Sequence, residues 1–291
     1  MTVAEAGSLP WRALRRGGRR GGVLLSVYYA LMSAYRAELM LWAVATALPL
    51  IMMGLWVEAG RSGAFALTGV EAARYFLAAF LIRQFTVVWV IYEFEYHVVT
   101  GRLSSLLLQP IDPVWRFLSM HVAEWGARLP FGVALMAVAA WMVPEAILGD
   151  ADTPGAWRPE AWRLLAGAGL VGLAFLVRFF MQYTLAMAGF WQERIHALDL
   201  LLELPYFFLA GALFPLDVLF ASDLAVMRGV AEFAMYTPFP YMLWLPARLV
   251  SGGEVPVAQG FAVLAAWLGV VLAINRLAWR RGLKRYSAMG A

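Results

Sequence analysis

The sequence predicts an all-α polytopic membrane protein, and two observations lead to this fold class. Of its 291 residues, 63% are hydrophobic and 14% are charged, whereas soluble domains carry roughly 25% charged residues. Apolar runs of about 20 residues, the length that crosses a bilayer as a helix, recur along the chain. The surplus apolar side chains must therefore face lipid.

We predict one transmembrane domain, 1–291, made of six spans. A cytoplasmic tail and an amphipathic interface helix occupy 1–37, the six-span bundle occupies 38–280, and a short tail occupies 281–291. An even number of spans places both termini on one side. The predicted spans are Glu38–Val57, Ala73–Tyr92, Phe117–Val143, Trp162–Phe190, Ala197–Phe220 and Ala258–Trp279.

The distribution of positive charge gives the orientation. The terminal runs 12–36 and 276–285, together with Arg102, Arg116 and Arg194, hold more Lys and Arg than the loops on the other side. Because cytoplasmic loops are enriched in these residues, both termini are predicted to be cytoplasmic.

The segment before the first span is predicted to be an amphipathic helix on the cytoplasmic face. A cleaved secretory signal is the alternative, but Ser26, Ser33 and Arg36 interrupt the apolar core that a signal requires. The apolar positions instead recur at helical spacing, with arginines available for lipid headgroups. These positions are Leu24, Tyr28, Leu31, Tyr35 and Leu39.

Between the second and third spans the sequence reads GRLSSLLLQPIDP, from Gly101 to Pro113. Gly101 and Pro110 limit a helix there to about two turns, too short to cross a membrane. Such a helix can present apolar contacts from Leu103, Leu106 and Leu107, beside polar groups on Arg102, Ser104 and Ser105. An interfacial helix that only lies on lipid is the alternative.

The connection between the fifth and sixth spans is apolar but divided by prolines. In VAEFAMYTPFPYMLWLPARLVSGG, residues 230–253, Pro238, Pro240 and Pro246 leave pieces too short to span. Short apolar pieces can dip into the membrane where they are buried against protein. We therefore expect re-entrant or interfacial helices on the outer side. An aromatic belt at the interface is the alternative.

Several kinds of chemistry are excluded or poorly supported. Cysteine is absent, which removes disulfides and thiol catalysis. The string GAGLVG, 167–172, matches a nucleotide fingerprint but lies inside a span, where small residues favour helix packing, and the chain has no GxxxxGK[ST] loop. The pairs His121/Glu124 and Glu93/His97 offer two ligands each, fewer than a catalytic zinc needs. No metal or cofactor site and no nucleic-acid partner are predicted.

Charges inside the spans mark a candidate substrate pathway. Arg83 and Arg178 lie midway along the second and fourth spans, where an arginine is costly and usually faces a partner or a wet cavity. Glu203 in the fifth span is a candidate counter-ion, and Asp199 a weaker one. Three interpretations are open: a lining of the substrate pathway, a buried structural ion pair, or an arginine side chain that snorkels to the interface.

The chain resembles the membrane permeases of ABC exporters, in the class called type-2 ABC permeases. Four features carry the resemblance: the amphipathic helix with basic flanks; Glu93 and Glu95 leading into TGRLSSLLLQPIDP; GALFPL, Gly211–Leu216, followed by TPFPY; and the tail WRRGLKRYSAMGA, Trp279–Ala291. The tail is similar to one branch of six-span permeases that was formerly uncharacterised.

The resemblance implies a permease that works with a separate ATPase and is not itself an enzyme. Two ATPase subunits would bind ATP and Mg, and a second permease (identical or related) would complete the pore. The complex would be located in a bacterial plasma (inner) membrane. The coupling residues it implies are Glu93, Glu95, Gly101, Arg102, Leu103, Ser104, Ser105, Leu106, Leu107 and Pro110. Its outer re-entrant region would include Gly211, Phe214, Pro215, Pro238 and Pro240.

Such a protein would export an amphipathic or hydrophobic substrate by alternating access. Two other functions stay open. A secondary transporter could use Arg83, Arg178 and Glu203 for ion coupling, although no internal repeat is evident. A non-transporting membrane scaffold could use the same short helix for docking.

Overall fold

The computed structural model describes residues 9–34, 36–63, 67–192 and 194–286, and these residues form helices and no strands. The basic tail before residue 9 and the last residues of the predicted C-terminal tail, 287–291, lie outside them. The helices are α1 Leu9–Ala34, α2 Arg36–Ala45, α3 Leu48–Arg61, α4 Gly69–Thr86, α5 Val90–Val99, α6 Leu103–Leu107, α7 Pro113–Met142, α8 Glu145–Leu148, α9 Ala161–Ala186, α10 Leu200–Leu209, α11 Leu216–Phe220, α12 Ala225–Ala234, α13 Phe239–Met242, α14 Trp244–Ser251 and α15 Val257–Leu283. Two 3₁₀ turns, Met187–Phe190 and His196–Asp199, join α9 to α10.

The prediction of an all-α membrane protein is confirmed. Within the described ranges, five helical segments are long and apolar enough to cross a bilayer, and a shorter apolar helix covers Gly21–Ala34. The five segments are Met40–Arg61, Gly69–Val99, Pro113–Met142, Ala161–Phe190 and Val257–Leu283. They correspond to the predicted first, second, third, fourth and sixth spans.

The predicted fifth span, 197–220, is not one continuous helix. Helix α10 ends at Leu209, and Gly211 then adopts a φ of +84°, a left-handed conformation that strongly favours glycine. The Tyr75 hydroxyl donates to the Gly211 carbonyl at 2.7 Å and fixes this turn. The chain resumes as α11 with Pro215 as its N-cap residue. The apolar composition of 197–220 was recognised correctly, but glycine and proline divide the run.

The first two candidate spans are also interrupted within their length. The first breaks at Thr46–Ala47, between α2 and α3, because Pro49 near the start of α3 has no N–H to continue the α2 ladder. The second breaks at 87–89, between α4 and α5, where β-branched residues reduce helix propensity. Irregular backbone at membrane depth is tolerated where it is buried in protein or lines a cavity.

The region between α10 and α15 contains short helices, as the proline spacing predicts; that they re-enter the membrane stays a prediction. Helices α13 and α14 are largely buried, and α14 packs against α4 and α9. Pro238 is the N-cap of α13, and Pro240 is a buried residue of its first turn. Gly211, whose carbonyl accepts from Tyr75, and the half-buried Phe214 lie in the turn between α10 and α11, just before these short helices.

Two apolar cores divide the bundle. The larger core joins α3, α4, α9, α14 and α15. The smaller one, which we call the α6-end core, joins α5 and α6 to the second half of α9 and the end of α15. Helix α1 packs along α7, with Tyr28 and Met32 against Met120 and Phe131. On this helix Met32 is buried and Leu31 is exposed. Tyr35 and the side chain of Leu39, two other positions of the predicted amphipathic face, lie outside the described residues.

The GAGLVG string is a helix-packing motif, as its position inside a span predicts. A Cβ on Gly167 would lie 2.9 Å from Val250 Cγ2, and a Cβ on Gly169 would lie 3.0 Å from Phe261 Cζ. These glycines therefore allow α9 to approach α14 and α15 closely.

Candidate coupling segment and charged cavity

Helix α6 lies across one end of the bundle and presents two different faces. Leu103 and Leu106, 0% and 6% exposed, pack inward against the α6-end core, and Leu107 is half-buried against it. The expectation that Leu103 and Leu106 form outward apolar contacts is therefore wrong. The spacing of three residues places both on one helix face, and that face is needed to attach α6 to the bundle.

The outward face of α6 carries a different set of groups. Leu108, just after the helix, is 88% exposed, and it is the apolar side chain that this face presents. Arg102 is also exposed and lies 5.1 Å from the Tyr96 ring centroid, a cation–π distance. Ser105, Gln109 and Pro110 complete the exposed surface.

The position of α6 is fixed at both of its ends and by a contact with the C-terminal segment. Gly101 has a φ of +71°, which allows the sharp turn out of α5. The Ser104 hydroxyl donates to the Gly101 carbonyl at 2.9 Å and lies 3.3 Å from the Tyr286 hydroxyl in the C-terminal segment. The following turn ends at Asp112, whose side chain caps α7 through the Val114 N–H at 3.0 Å. The result is a short helix held rigidly on the bundle.

The two acidic residues of α5 have different environments. Glu95 Oε2 accepts the backbone N–H groups of Ile195 and His196 at 2.8 and 2.7 Å, and its Oε1 lies 3.2 Å from His196 Nδ1. Glu95 thus ties α5 to the start of the segment that leads into α10. Glu93 is half-buried.

A cavity of about 430 Å³ lies where the interrupted helices meet. We call it the charged cavity, because it contains three arginines and three carboxylates beside aromatic and apolar side chains. Its lining residues are Trp42, Ala45, Thr46, Arg83, Val87, Val88, Trp89, Tyr92, Glu124, Arg128, Arg178, Asp199 and Glu203. The predicted pathway residues Arg83, Arg178 and Glu203 are therefore brought together.

A hydrogen-bond network attaches the break between α4 and α5 to side chains of α7. His121 Nδ1 lies 2.8 Å from the Phe117 carbonyl, and Nε2 accepts the Trp89 backbone N–H at 3.2 Å. The Trp89 indole donates to Glu124 at 2.8 Å, and Glu124 pairs with Arg128 at 3.0 Å. His121 and Glu124 are thus occupied in structural contacts.

The same network continues to the break in the first span. Arg128 Nη2 donates to the Gln84 carbonyl, and the Gln84 amide donates to Thr46 Oγ1 at 3.0 Å. Residues near both breaks are therefore linked through buried polar side chains of α4 and α7.

Arg178 has the counter-ion that the sequence predicted. Its Nη2 pairs with Glu203, and its guanidinium lies 4.1 Å from the Tyr206 ring centroid. Asp199, the weaker candidate, accepts from the Gln182 amide at 2.7 Å. The two carboxylates of the fifth segment are thus each held by a residue of α9.

Arg83 differs from the other two arginines of the cavity. It is 6% exposed, and its Nε and Nη1 atoms have no hydrogen-bond partner among the described residues. Its guanidinium lies 5.5 Å from the Tyr206 ring centroid and 5.2 Å from that of Phe207. The structure thus buries a cation in the cavity with aromatic neighbours but no described carboxylate partner.

At the other end of the bundle, an ion pair fixes the short helices between α10 and α15. Asp217 in α11 pairs with Arg248 in α14 at 3.0 Å and accepts the Trp244 indole N–H at 2.8 Å. The Trp56 indole donates to the Leu213 carbonyl at 2.9 Å. Asp217 and Arg248 were not among the predicted site residues, because nothing in the sequence pairs them across 31 positions.

Trp89, Glu124 and Arg128 line the charged cavity but were not predicted to do so, and Glu124 was considered only as a zinc ligand beside His121. The run Thr86-Val87-Val88 was a usable signal of a weakened helix. Glu124 and Arg128, four residues apart, could have been read as an intrahelical pair.

Ionisable side chains buried within apolar spans are typical of membrane proteins that move ions or substrates. The profile of the ABC-2 family transporter proteins matches residues 61–290. The chain therefore belongs to the ABC-2 transporter family, whose permeases are membrane transport components and not themselves catalytic. A search of curated proteins found no match.

Proposed function

We propose that this chain is the permease subunit of an ABC exporter, driven by a separate ATPase subunit that docks on α6. The chain acts as a single transmembrane domain with both termini in the cytoplasm of a bacterium, in its plasma (inner) membrane. Two permeases and two ATPase subunits form the working unit, and ATP and Mg bind to the ATPases. The cargo moves outward by alternating access.

The architecture of α6 carries this proposal. A docking helix that transmits force must be rigidly attached to the bundle and must also offer a surface to its partner. Leu103 and Leu106 supply the attachment, whereas Arg102 and Leu108 supply the surface. A helix that only lay on lipid would direct its leucines outward, away from the bundle.

The remaining predicted coupling residues fit the same role indirectly. Glu95 links α5, which leads into α6, to the segment entering α10. A push on α6 would therefore reach the second and fifth segments together. Movement of these segments would alter the charged cavity, because Tyr92 and Glu203 line it.

Co-purification tests the proposal. The tagged chain is extracted in a mild detergent, with and without the double substitution Arg102→Glu and Leu108→Asp, and the bound proteins are identified. We expect an ATPase subunit with the wild type and at least a tenfold loss in the variant. Leu148→Asp, at a site 68% exposed in α8, is the matched control and should retain the ATPase.

A monodisperse gel-filtration profile must accompany each variant, so that loss of the partner is separated from loss of the fold. If the wild type brings no ATPase, the proposal is refuted. If both variants keep it equally, docking occurs elsewhere.

A secondary transporter is the second candidate. The breaks in the first two spans beside Arg83, Arg178 and Glu203 favour it, because broken helices around a midplane site are typical of such proteins. Ion-driven uptake by the purified chain alone in vesicles would support it.

A further inference from the structure

We infer that the charged cavity binds an anionic group at Arg83, so that its ligand is an amphiphile with a carboxylate or phosphate attached to an apolar body. That this ligand is the cargo rests on the proposed function. The binding site itself does not depend on it.

The charges of the cavity leave one cation without a counter-ion. Arg128 pairs with Glu124 at 3.0 Å, and Arg178 pairs with Glu203. Arg83 forms no ion pair among the described residues, its Nε and Nη1 have no hydrogen-bond partner there, and its guanidinium lies near the Tyr206 and Phe207 rings. The nearby Glu203 is already paired with Arg178. A buried cation without an anion is unfavourable in an apolar span, so an anionic ligand at Arg83 would be stabilised by it.

The carboxylates of the cavity argue against a cationic ligand. Glu124 accepts from Trp89 and Arg128, Glu203 pairs with Arg178, and Asp199 accepts from Gln182. Each acid therefore already has a donor among the described residues. A cation at Glu124 or Glu203 would have to displace an arginine, and Asp199 is the acid of the cavity that has no arginine partner among the described residues. An anion would find Arg83 available without breaking either ion pair.

The break in the second span adds a second feature that favours an anion. Residues 87–89 line the cavity, and α5 begins at the next residue, Val90. The N-terminal end of α5 therefore adjoins the cavity. Helix N-termini carry partial positive charge, and half-helices in transporters direct such ends at anionic groups.

The rest of the cavity wall fits an apolar body. Trp42, Val88, Trp89 and Tyr92 line it, and the Trp42 and Trp89 rings stack with centroids 6.2 Å apart. A volume of about 430 Å³ lies in the range of about 300–1,000 Å³ usual for small-molecule sites. A bare inorganic anion would leave these aromatic walls without contacts.

Binding of radiolabelled dodecyl phosphate to the purified chain in dodecyl maltoside tests the inference. The detergent shares the alkyl chain but carries no charge, so it is the built-in neutral competitor. We expect saturable binding near one site per chain in the wild type. Competition by unlabelled dodecanoate at pH 8 shows whether a carboxylate serves as well as a phosphate.

Variants assign the site. Arg83→Gln should weaken binding tenfold or more, because a charge-assisted hydrogen bond is lost, and Arg83→Lys should retain part of the affinity. Arg228→Gln removes an exposed arginine of α12 and should bind as the wild type does. Dodecyl phosphate should also raise the Tm of the wild type but not that of Arg83→Gln. Without ligand, Arg83→Gln should melt no lower than the wild type, because it removes a buried unpaired charge.

Absence of saturable binding to the wild type, or equal binding by Arg83→Gln, would overturn the inference. A lower Tm of ligand-free Arg83→Gln with unchanged binding would show that Arg83 serves packing on Tyr206 and Phe207 instead. Recovery of the ATPase from the same preparation separates anion binding at Arg83 from the proposed ATP-driven function. An ATPase without anion binding would refute only the anion site, and anion binding without an ATPase would refute only the ATP-driven function.

Discussion

Helix α6 and the charged cavity both consist of short helices with charged side chains, but they differ in how completely these groups are packed and hydrogen-bonded. In α6 the apolar face is completely packed and the backbone turn at Gly101 is fixed by Ser104. In the cavity two spans are interrupted, and Arg83 is left without a described hydrogen-bond partner at two of its nitrogens. A part that transmits movement needs rigidity, whereas a part that binds a ligand needs unsatisfied groups and space.

The comparison predicts that loss of the ion pair of Arg128 and loss of the charge of Arg83 have different effects on stability. Replacing Glu124 by Gln leaves Arg128 buried without its counter-ion, since both side chains are at most 3% exposed. Breaking such a pair costs about 3–5 kcal/mol. We expect this variant to lose about 5–15 °C in Tm in detergent, whereas Arg83→Gln should melt no lower than the wild type. Equal losses would mean that Arg83 is as structural as Arg128.

Substitutions on the two faces of α6 should change the stability of the chain by different but smaller amounts than Glu124→Gln does. Leu103→Ala removes a buried side chain from the α6-end core and should destabilise the chain by about 2–4 kcal/mol. Leu108→Ala removes an exposed side chain and should stay within about 0.5 kcal/mol. Thermal unfolding of both variants followed by intrinsic tryptophan fluorescence measures the difference. A cost at Leu108 as large as at Leu103 would show that the outward face of α6 is not free.

Local sequence features predicted much of the fold. Apolar length predicted five of the spans, and proline spacing predicted the short helices around Pro238 and Pro240. The limits of α6 followed from Gly101 and Pro110, because turn chemistry acts over a few residues. These features depend on residues that are close together along the chain, and a single sequence contains that information.

Features that depend on partners from distant segments were harder to predict. The inward direction of Leu103 follows from where α9 and α15 lie, and the spacing of the leucines alone does not show it. The network of Trp89, His121 and Glu124 joins two spans across more than 30 positions. The pairing of Arg178 with Glu203 was foreseen, because few acids were available at that depth.

Cross-linking from Leu108 tests the central claim most directly. The chain has no cysteine, so Leu108→Cys is a unique attachment point for a thiol-specific photo-crosslinker in native membranes. We predict an adduct whose second chain, identified by mass spectrometry, carries an ATP-binding phosphate loop, and no such adduct from Leu148→Cys. Adducts from Leu108→Cys that contain only lipid or unrelated proteins would contradict the account.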